Sequence, residues 1–343
     1  MNIETKEIGK ECFIIAEAGS NHNGSLETAK KMIEVAADAG ADAVKFQLFR
    51  ADRLYVENAG KADYLEDKKS IYEIIKDAEM PEEWIPVLME HCKEKNIIFM
   101  ASAFDEVSTD ILEKNGITSY KLASYVVNHT PLIKHTAEKG KPMIISTGTA
   151  DMEDVELAVK TAENAGNNKI ALMQCVASYP AKIEDSNLLS IKTMEKFGYP
   201  VGISDHTRNP IIVPVAATAI GAKIIEKHFT LDNNMQGSDH KYAVEPNELK
   251  EMVQAIRKTE QALGDGKKVV KESEKELYDF ARVAIHAIKD IKKGEVLSED
   301  NIHILRPGKR TPGMEPKYWN DIIGKKSTKD IIKNKGIHEG DFE

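Results

Sequence analysis

The sequence predicts a (β/α)8 TIM barrel followed by a small β-rich domain. Short apolar runs rich in β-branched residues recur from residue 12 to residue 229, and amphipathic, helix-like segments lie between them. Most runs are continuous rather than alternating, which is typical of parallel strands buried on both faces. Eight successive strand–helix units favour closure into a barrel. After residue 283 the pattern changes to short strands and turns.

The predicted strands are the eight apolar runs. They cover residues 12–19, 43–49, 97–104, 119–124, 142–148, 170–176, 199–206 and 223–229. An open doubly wound sheet is the alternative arrangement. That fold normally has fewer strands and a glycine-rich nucleotide turn after the first strand, and the turn here, EAGSNHNGS, is not GxGxxG. The barrel is therefore the better prediction.

The intervening segments have helical spacing and helix-end signals. Residues 25–40 begin with Ser25, a favourable N-cap, and end with Gly40, a favourable stop. Residues 81–96 and 152–167 show the same pattern. The apolar face of the first helix consists of Leu26, Ala29, Met32, Ile33 and Ala36.

The domain boundaries follow from the change in pattern. We expect a catalytic barrel over 1–265, a helical linker over 266–282 and the β-rich domain over 283–343. The last of these contains a weak internal repeat. AIKDIKKGEVLSEDNI at 287–302 resembles STKDIIKNKGIHEGDF at 327–342.

Composition narrows the function classes. The 343 residues are 41% hydrophobic and 30% charged, with a net charge of −9 and no block of basic residues, so a nucleic-acid surface is not expected. No apolar run approaches the roughly 20 residues that span a membrane, and no export signal is evident. Cys12, Cys92 and Cys175 lack metal-site spacing and are expected to be reduced thiols in a cytoplasmic protein.

Polar residues mark the end of each predicted strand, where a (β/α)8 barrel carries its active site. Lys45 and Lys121 lie within central strands, and a buried charge needs a partner. An anionic ligand with phosphate and carboxylate groups would supply one, and interior ion pairs with Glu17 or Glu226 are the alternative. The other strand-end groups are Gln47, Ser102, Ser124, Ser146, Gln174, Tyr179, Ser204, Asp205, His206 and His228.

Two histidines end neighbouring strands. His206 follows the seventh strand and His228 ends the eighth, and Glu17 is near because the first strand adjoins the eighth in a closed barrel. Paired imidazoles beside a carboxylate suit a divalent transition metal with open positions, and such an ion polarises a carbonyl oxygen. The alternative is that each histidine is a hydrogen-bonded structural group.

Seven stretches of the chain match one known family. They are IIAEAGSNHNGS, AGADAVKFQLF, YKLAS, IISTGTA, GISDHTRNP, IEKHFTLDNNMQGSDHKYAVEPNEL and ILRPGKRTPGMEP. These stretches resemble the sialic acid synthase family, which includes legionaminic and pseudaminic acid synthases. The resemblance extends over nearly the whole chain, and the C-terminal part is similar to that family's antifreeze-like (SAF) domain. It implies that the protein condenses phosphoenolpyruvate with an N-acylated hexosamine such as N-acetylmannosamine and releases phosphate.

The resemblance also implies residue roles. His206 and His228 would hold a divalent ion, most simply Mn2+, with Mg2+ or Co2+ as alternatives. Arg306 would reach the sugar's N-acyl group in the barrel of a partner subunit, which makes the enzyme a domain-swapped homodimer. The residues implied for phosphoenolpyruvate are Lys45, Ser102, Lys121, Ser124, Ser146 and Ser204, and those implied for the sugar are Glu17, Gln47, Tyr179 and Asp239. Glu17 and Lys121 join the two histidines as the expected catalytic residues.

The chain departs from the family pattern at two positions. Val126 stands where the family usually has a glutamate, and Ala177 stands where a polar residue is usual. The segment YPAKIEDSNL is closer to the pseudaminic acid branch, whose sugar is a 2,4-diacetamido-trideoxyhexose. Two functions from other classes remain as alternatives. A metal-dependent barrel hydrolase would typically need His-x-His on the first strand, and a non-catalytic sugar-binding protein would not need the buried lysines.

Overall fold

The predicted barrel is confirmed by the computed structural model, which describes residues 1–61, 69–237 and 239–343. Eight parallel strands close into one barrel, each hydrogen-bonded to the next and the last to the first. The observed strands lie within the predicted runs. They are β1 (Phe13–Gly19), β2 (Ala43–Leu48), β3 (Ile98–Ala103), β4 (Tyr120–Leu122), β5 (Met143–Ser146), β6 (Ile170–Cys175), β7 (Val201–Asp205) and β8 (Ile224–His228).

Helices follow the strands, as expected. The first helix has the predicted ends, because the Ser25 side chain accepts a hydrogen bond from the Thr28 N–H and Gly40 adopts a left-handed φ of 86°. The helices of the barrel unit are α1 (Leu26–Ala39), α2 (Ala51–Leu54), α3 (Ile71–Asp77), α4 (Trp84–Glu94), α5 (Glu106–Lys114), α6 (Thr130–Ala137), α7 (Met152–Asn164), α8 (Ser190–Met194), α9 (Ile212–Ala219) and α10 (Pro246–Leu263). No helix among the described residues is both long and apolar enough to cross a membrane.

The strands bury both faces, and alternation divides their residues between two cores. On β1, Ile14 and Ala16 pack outward against the helices, whereas Phe13 and Ile15 point into the barrel. The inward apolar residues form one cluster at the N-terminal end of the barrel, which we call the lower layer. It comprises Ile3, Ile8, Phe13, Ile15, Ala43, Ile98, Met100, Ile144, Ala171, Met173 and Ile224. Ile3 belongs to a short antiparallel pair, Asn2–Ile3 with Lys6–Glu7.

The C-terminal part, Asp265–Glu343, is a second compact unit, and Met1–Gly264 is the first. Its elements are α11 (Lys275–Ala281), β9 (Ala284–Ala287), β10 (Ile302–Leu305) and α12 (Trp319–Ile322). Strands β9 and β10 pair antiparallel over a separate small apolar core that includes Ile285. Helix α11 falls within the expected linker, while the predicted limits of that linker stay a prediction.

The internal repeat has a structural basis, because its two copies pair with each other. Ile291 and Ile331 occupy equivalent positions and exchange two backbone hydrogen bonds of 2.8 Å. The aspartate before each isoleucine accepts a backbone hydrogen bond from the other copy. These bonds run from Lys333 N to Asp290 Oδ1 at 2.8 Å and from Lys293 N to Asp330 Oδ1 at 2.9 Å.

Candidate active site

Four charged side chains form the core of an ionic upper layer inside the C-terminal end of the barrel. Glu17, Lys45, Lys121 and Glu226 expose at most 4% of their side chains. Lys45 Nζ lies 2.7 Å from Glu17 Oε2 and 3.6 Å from Glu226 Oε1. Lys121 Nζ lies 3.6 Å from Glu226 Oε2. The interior ion pairs considered from the sequence are therefore present, and they supply each buried ammonium with a carboxylate.

Burial and charge act in opposite directions on these groups. Burial alone would lower the pKa of Lys45, but Glu17 and Glu226 outweigh it and raise the pKa. Burial dominates at Lys121 and lowers its pKa. Its carboxylate partner Glu226 lies 3.6 Å away, farther than Glu17 lies from Lys45, and the charge of Lys45 opposes protonation. Burial would raise the pKa of Glu226, yet Lys121 and Lys45 lower it to about 2. Glu226 is thus an anion that favours the charged form of both lysines, and Glu17 adds to its effect on Lys45.

Serine hydroxyls surround the two ammonium groups. Ser102 accepts a hydrogen bond from Lys45 Nζ at 2.9 Å, and Ser146 accepts one from Lys121 Nζ at 2.7 Å. Ser204 donates to Glu226 Oε1 at 3.1 Å. The predicted lysines and strand-end serines therefore converge on one polar region, in which each hydroxyl retains capacity for a further bond.

A glycine leaves room beside the fourth serine. Ser124 Oγ accepts a hydrogen bond from the backbone N–H of Gly148 at 3.0 Å. A Cβ at Gly148 would lie 2.8 Å from Ser124 Oγ and 3.0 Å from Cys175 Sγ, closer than side chains tolerate. Position 148 must therefore stay without a side chain for Ser124 and Cys175 to keep their places at this end of the barrel.

His206 and His228 lie side by side at one rim, with ring centroids 5.2 Å apart and planes inclined by 67°. His206 Nδ1 lies 2.7 Å from the Val176 carbonyl, which can only accept, so Nδ1 carries the proton and Nε2 has the lone pair. Burial, reinforced by His228, lowers the pKa of His206 to about 3. His206 is thus a neutral imidazole whose Nε2 lone pair faces the Ser204 hydroxyl at 3.4 Å.

His228 Nδ1 is buried and has no hydrogen-bond partner among the described residues; the nearest acidic oxygen is Asp239 Oδ2 at 3.7 Å. An orphaned ring nitrogen beside a neutral imidazole is a donor set that fits a divalent transition metal. Within the described ranges no three His, Cys, Asp or Glu side chains are grouped to hold an ion. An ion bound by the two imidazoles would therefore keep its other positions for substrate or water.

Three residues assigned to the sugar lie together beside the ionic layer. Gln47 Nε2 donates to Glu17 Oε1 at 2.7 Å. Asp239 Oδ2 lies 3.0 Å from the place where a Cβ on Gly19 would stand, and Glu17 Oε1 lies 3.6 Å from it. Gly19 has a left-handed φ of 54°, so glycine is favoured there on both steric and backbone grounds.

Aromatic rings cover the imidazoles. The Tyr179 ring lies 4.3 Å from His206 and 6.0 Å from His228, and the Tyr242 ring lies 5.3 Å from His228. Burial strongly raises the pKa of the Tyr179 phenol, so it stays protonated. Together with the ionic layer, these rings form a continuous surface at the C-terminal end of the barrel.

Other residues named from the sequence lie elsewhere. Gln174 shares the outward side of β6 with Leu172, and its side chain donates to the Ser186 carbonyl at 3.2 Å. Asp205 points out of the barrel and pairs with Lys227. Including these two among the strand-end site groups was wrong, because alternation turns them away. Arg306 is exposed and follows β10 in the second unit.

The two residues that depart from the family pattern lie in different surroundings. Val126 is 6% exposed and packs in the apolar core outside the strands, whereas Ala177 is half-buried in the loop after β6.

The sequence reasoning undervalued Glu226 and missed Tyr242. Glu226 is, with His228, a polar group at the end of the eighth strand, but no role beyond an ion pair is predicted for it, although it shares the inward parity of His228. Tyr242 is buried in a loop beyond β8, and no local pattern marks it.

Comparison with known proteins identifies the family of each part of the chain. A model of the NeuB family matches residues 32–268, and a model of the SAF domain matches residues 282–343. The solved structure of the spore coat polysaccharide biosynthesis protein SpsE from Bacillus subtilis is 43% identical. It has a TM-score of 0.69, and the match covers 100% of this chain and 99% of that one.

Two further relatives carry names that describe an activity. The N,N'-diacetyllegionaminic acid synthase of Legionella pneumophila is 39% identical over 91% of this chain and 89% of its own. The pseudaminic acid synthase of Campylobacter jejuni (serotype O:2) is 38% identical over 100% of both chains.

Proposed function

This chain belongs to the NeuB family, and we propose that it condenses phosphoenolpyruvate with an N-acylated hexosamine to form a nonulosonic acid. It is a sialic-acid-type synthase, a transferase that forms a carbon–carbon bond. The observation that carries the proposal is the pair of buried ammonium groups, Lys45 and Lys121, beside two imidazoles at the end of a closed barrel.

The ionic layer is assigned to phosphoenolpyruvate. Lys45 and Lys121 provide positive charge, and Ser102, Ser146 and Ser124 provide neutral donors for phosphate and carboxylate oxygens. Glu226 favours the charged form of both lysines, and the closed barrel strengthens their attraction for an anion by excluding water. These groups are fixed before the substrate arrives, so they favour one orientation of the reacting methylene carbon.

The rim is assigned to the sugar. Glu17, Gln47, Tyr179 and Asp239 lie around the imidazoles, where they can bind hydroxyl and amide groups of an open-chain hexosamine. His206 and His228 would hold a divalent ion, proposed to be Mn2+, which when bound supplies Lewis-acid polarisation of a carbonyl oxygen. The neutral state of His206 and the proton on its Nδ1 leave a lone pair on its Nε2, and an ion there would replace the 3.4 Å contact with the Ser204 hydroxyl.

The reaction balances with these groups. The methylene carbon of phosphoenolpyruvate forms a bond to the aldehyde carbon, and the aldehyde oxygen becomes a hydroxyl by taking a proton. Water adds to the resulting cationic carbon and releases one proton, which balances the proton taken by the aldehyde oxygen. The carbon–oxygen bond to phosphate then breaks as that centre becomes the keto acid, and the second water proton leaves with the phosphate. Holding both substrates on one rigid surface lowers the barrier through proximity and preorganised charge.

The identity of the sugar and the assembly belong to the same proposal. Either N-acetylmannosamine or a 2,4-diacetamido-trideoxyhexose is the acceptor, and the named relatives favour the latter class. Arg306 is assigned to the N-acyl group of a sugar held by the partner subunit, which makes a domain-swapped homodimer the active form in the cytoplasm. In the resemblance on which this rests, the SAF domain supplies that arginine.

A substrate panel tests the proposal. Purified protein is incubated with phosphoenolpyruvate, Mn2+ and each candidate sugar, and released phosphate is measured together with the nine-carbon product by mass spectrometry. We expect stoichiometric phosphate and product with one sugar class and none without sugar. Absence of phosphate with every 2-acetamido and 2,4-diacetamido hexose would refute the synthase assignment, and phosphate release without sugar would indicate a hydrolase.

A further inference from the structure

An ion pair lies directly behind the two histidines, on the other face of the same strands. Ser204 and Glu226 point into the barrel, and so do the two imidazoles. Because side chains alternate along a strand, Asp205 must point outward from the end of β7. Lys227 points outward from β8 for the same reason, and the two are paired in the strand register.

The pair is buried and fully bonded. Lys227 Nζ lies 2.6 Å from Asp205 Oδ2, and each side chain is 1% exposed. Lys227 also donates to the backbone carbonyls of Thr207 and, at 3.1 Å, Asn209. Asp205 Oδ1 accepts the Thr207 N–H at 2.9 Å. The Lys227 ammonium therefore forms hydrogen bonds to two residues of the loop that begins immediately after His206.

The placement of these bonds connects the two histidines. His206 lies between Asp205 and Thr207, and both of those residues bond to Lys227. His228 is the next residue after Lys227 in the chain. A shift of the ammonium would therefore move the backbone of both imidazoles, whereas inward contacts such as Ser204 to Glu226 would remain.

We propose that Asp205 and Lys227 form a positioning pair that sets the separation and orientation of the two imidazoles, so that affinity for a divalent ion depends on it. The inference rests on the proposed metal assignment of His206 and His228. Neither member of the pair touches the substrate or the ion. Partners behind metal-binding histidines typically contribute about 10–100-fold to metal affinity, and we expect an effect of this size.

The experiment measures Mn2+ binding to the full-length protein by the electron paramagnetic resonance signal of free Mn2+. The key variant is the double substitution Asp205→Asn with Lys227→Met. It removes both charges together, so it avoids the unpaired buried charge that either single substitution leaves and that would destabilise the fold. We expect the double variant to be folded by circular dichroism and to bind Mn2+ at least tenfold more weakly than wild type.

A second ion pair provides the matched control. Arg257 Nη2 lies 2.7 Å from Asp42 Oδ2, and Asp42 immediately precedes β2, at the opposite end of the barrel from the histidines. The double variant Asp42→Asn with Arg257→Met should lower thermal stability but leave Mn2+ affinity within twofold. A merely structural role for Asp205 and Lys227 predicts the same result for both double variants.

The outcomes separate the two proposals. Wild-type Mn2+ affinity in the folded Asp205/Lys227 double variant would overturn the positioning proposal alone. No Mn2+ binding to the wild type would overturn the metal assignment and this inference with it. The synthase assignment is judged separately, by sugar-dependent phosphate release.

Discussion

The two layers inside the barrel are built from the same strands and contrast in chemistry. The lower layer is apolar throughout, and residues such as Ile15 and Ile144 are fully buried there. One inward position further along the same strands, Glu17 and Ser146 belong to the ionic layer. The change occurs within a single alternation step on β1, β2, β3, β5 and β8, so the barrel holds two different interiors about 7 Å apart along a strand.

This contrast separates stability from function. Apolar burial in the lower layer stabilises the fold by about 25 cal/mol for each Å2 removed from water. Buried ion pairs in the upper layer contribute little net stability, because the cost of desolvation offsets their attraction. Their presence is explained by the ligand they are prepared to bind. Substitutions in the lower layer should therefore lower stability and spare catalysis, whereas substitutions in the ionic layer should do the reverse.

The largest effect is expected from Lys121→Met. The substitution removes one of the two ammonium groups assigned to phosphoenolpyruvate, so kcat/KM for that substrate should fall about 1,000-fold, or about 4 kcal/mol. Glu226 keeps Lys45 at 3.6 Å and Ser204 at 3.1 Å, so the free energy of unfolding should change by less than about 2 kcal/mol. Phosphate release and urea unfolding measure the two quantities. Unchanged kcat/KM would show that the ionic layer is not the anion site.

The next effect is the reverse case, Ile144→Ala in the lower layer. Ile144 is fully buried, so the cavity and lost burial should lower the free energy of unfolding by about 3 kcal/mol. The KM for phosphoenolpyruvate should stay within twofold, because the lower layer does not contact the assigned ligand. The same urea and phosphate assays apply. A large rise in KM with little loss of stability would contradict the division into layers.

More of the fold than of the candidate site could be predicted from the sequence. Continuous apolar runs fix the strands, and helix caps such as Ser25 and Gly40 act through neighbouring residues, so local reading suffices. Which strand-end residues converge depends on parity and register. That is why His206 and His228 were paired correctly while Asp205 was assigned to the wrong face. Tyr242 lies at the site because of the path of a loop, and no periodic sequence pattern predicts the path of a loop.

A smaller effect concerns His22, a buried ionisable group in the loop after β1 for which no charged partner is found among the described residues. It packs against Trp84 and Phe46, and burial lowers its pKa from 6.5 to about 4. The folded state disfavours its protonation, so this contribution to stability is full above pH 6.5 and is lost as the pH falls toward 4. By pH 5 the loss should be about 2 kcal/mol.

The variant His22→Gln tests this directly. Glutamine can accept the Gly24 N–H bond that His22 Nδ1 accepts at 3.1 Å, but it does not titrate. Urea unfolding at pH 8 and pH 5 should show a stability loss about 2 kcal/mol smaller in the variant than in wild type. Equal losses would mean that His22 protonates in the folded protein as it does in water.

The smallest effect is expected at Gly19, where the ionic layer meets the sugar residues. Alanine at its φ of 54° should cost about 1 kcal/mol of stability. The added Cβ would also stand 3.0 Å from Asp239 Oδ2 and displace that carboxylate, so the KM for the sugar should rise several-fold while that for phosphoenolpyruvate stays constant.

Gly140→Ala is the matched control, because Gly140 has a φ of 70° and open space around its Cβ position. Both variants should lose similar stability, and only Gly19→Ala should change the KM for the sugar. An equal change in both would remove Asp239 from the sugar site, since backbone strain alone would then explain the kinetics.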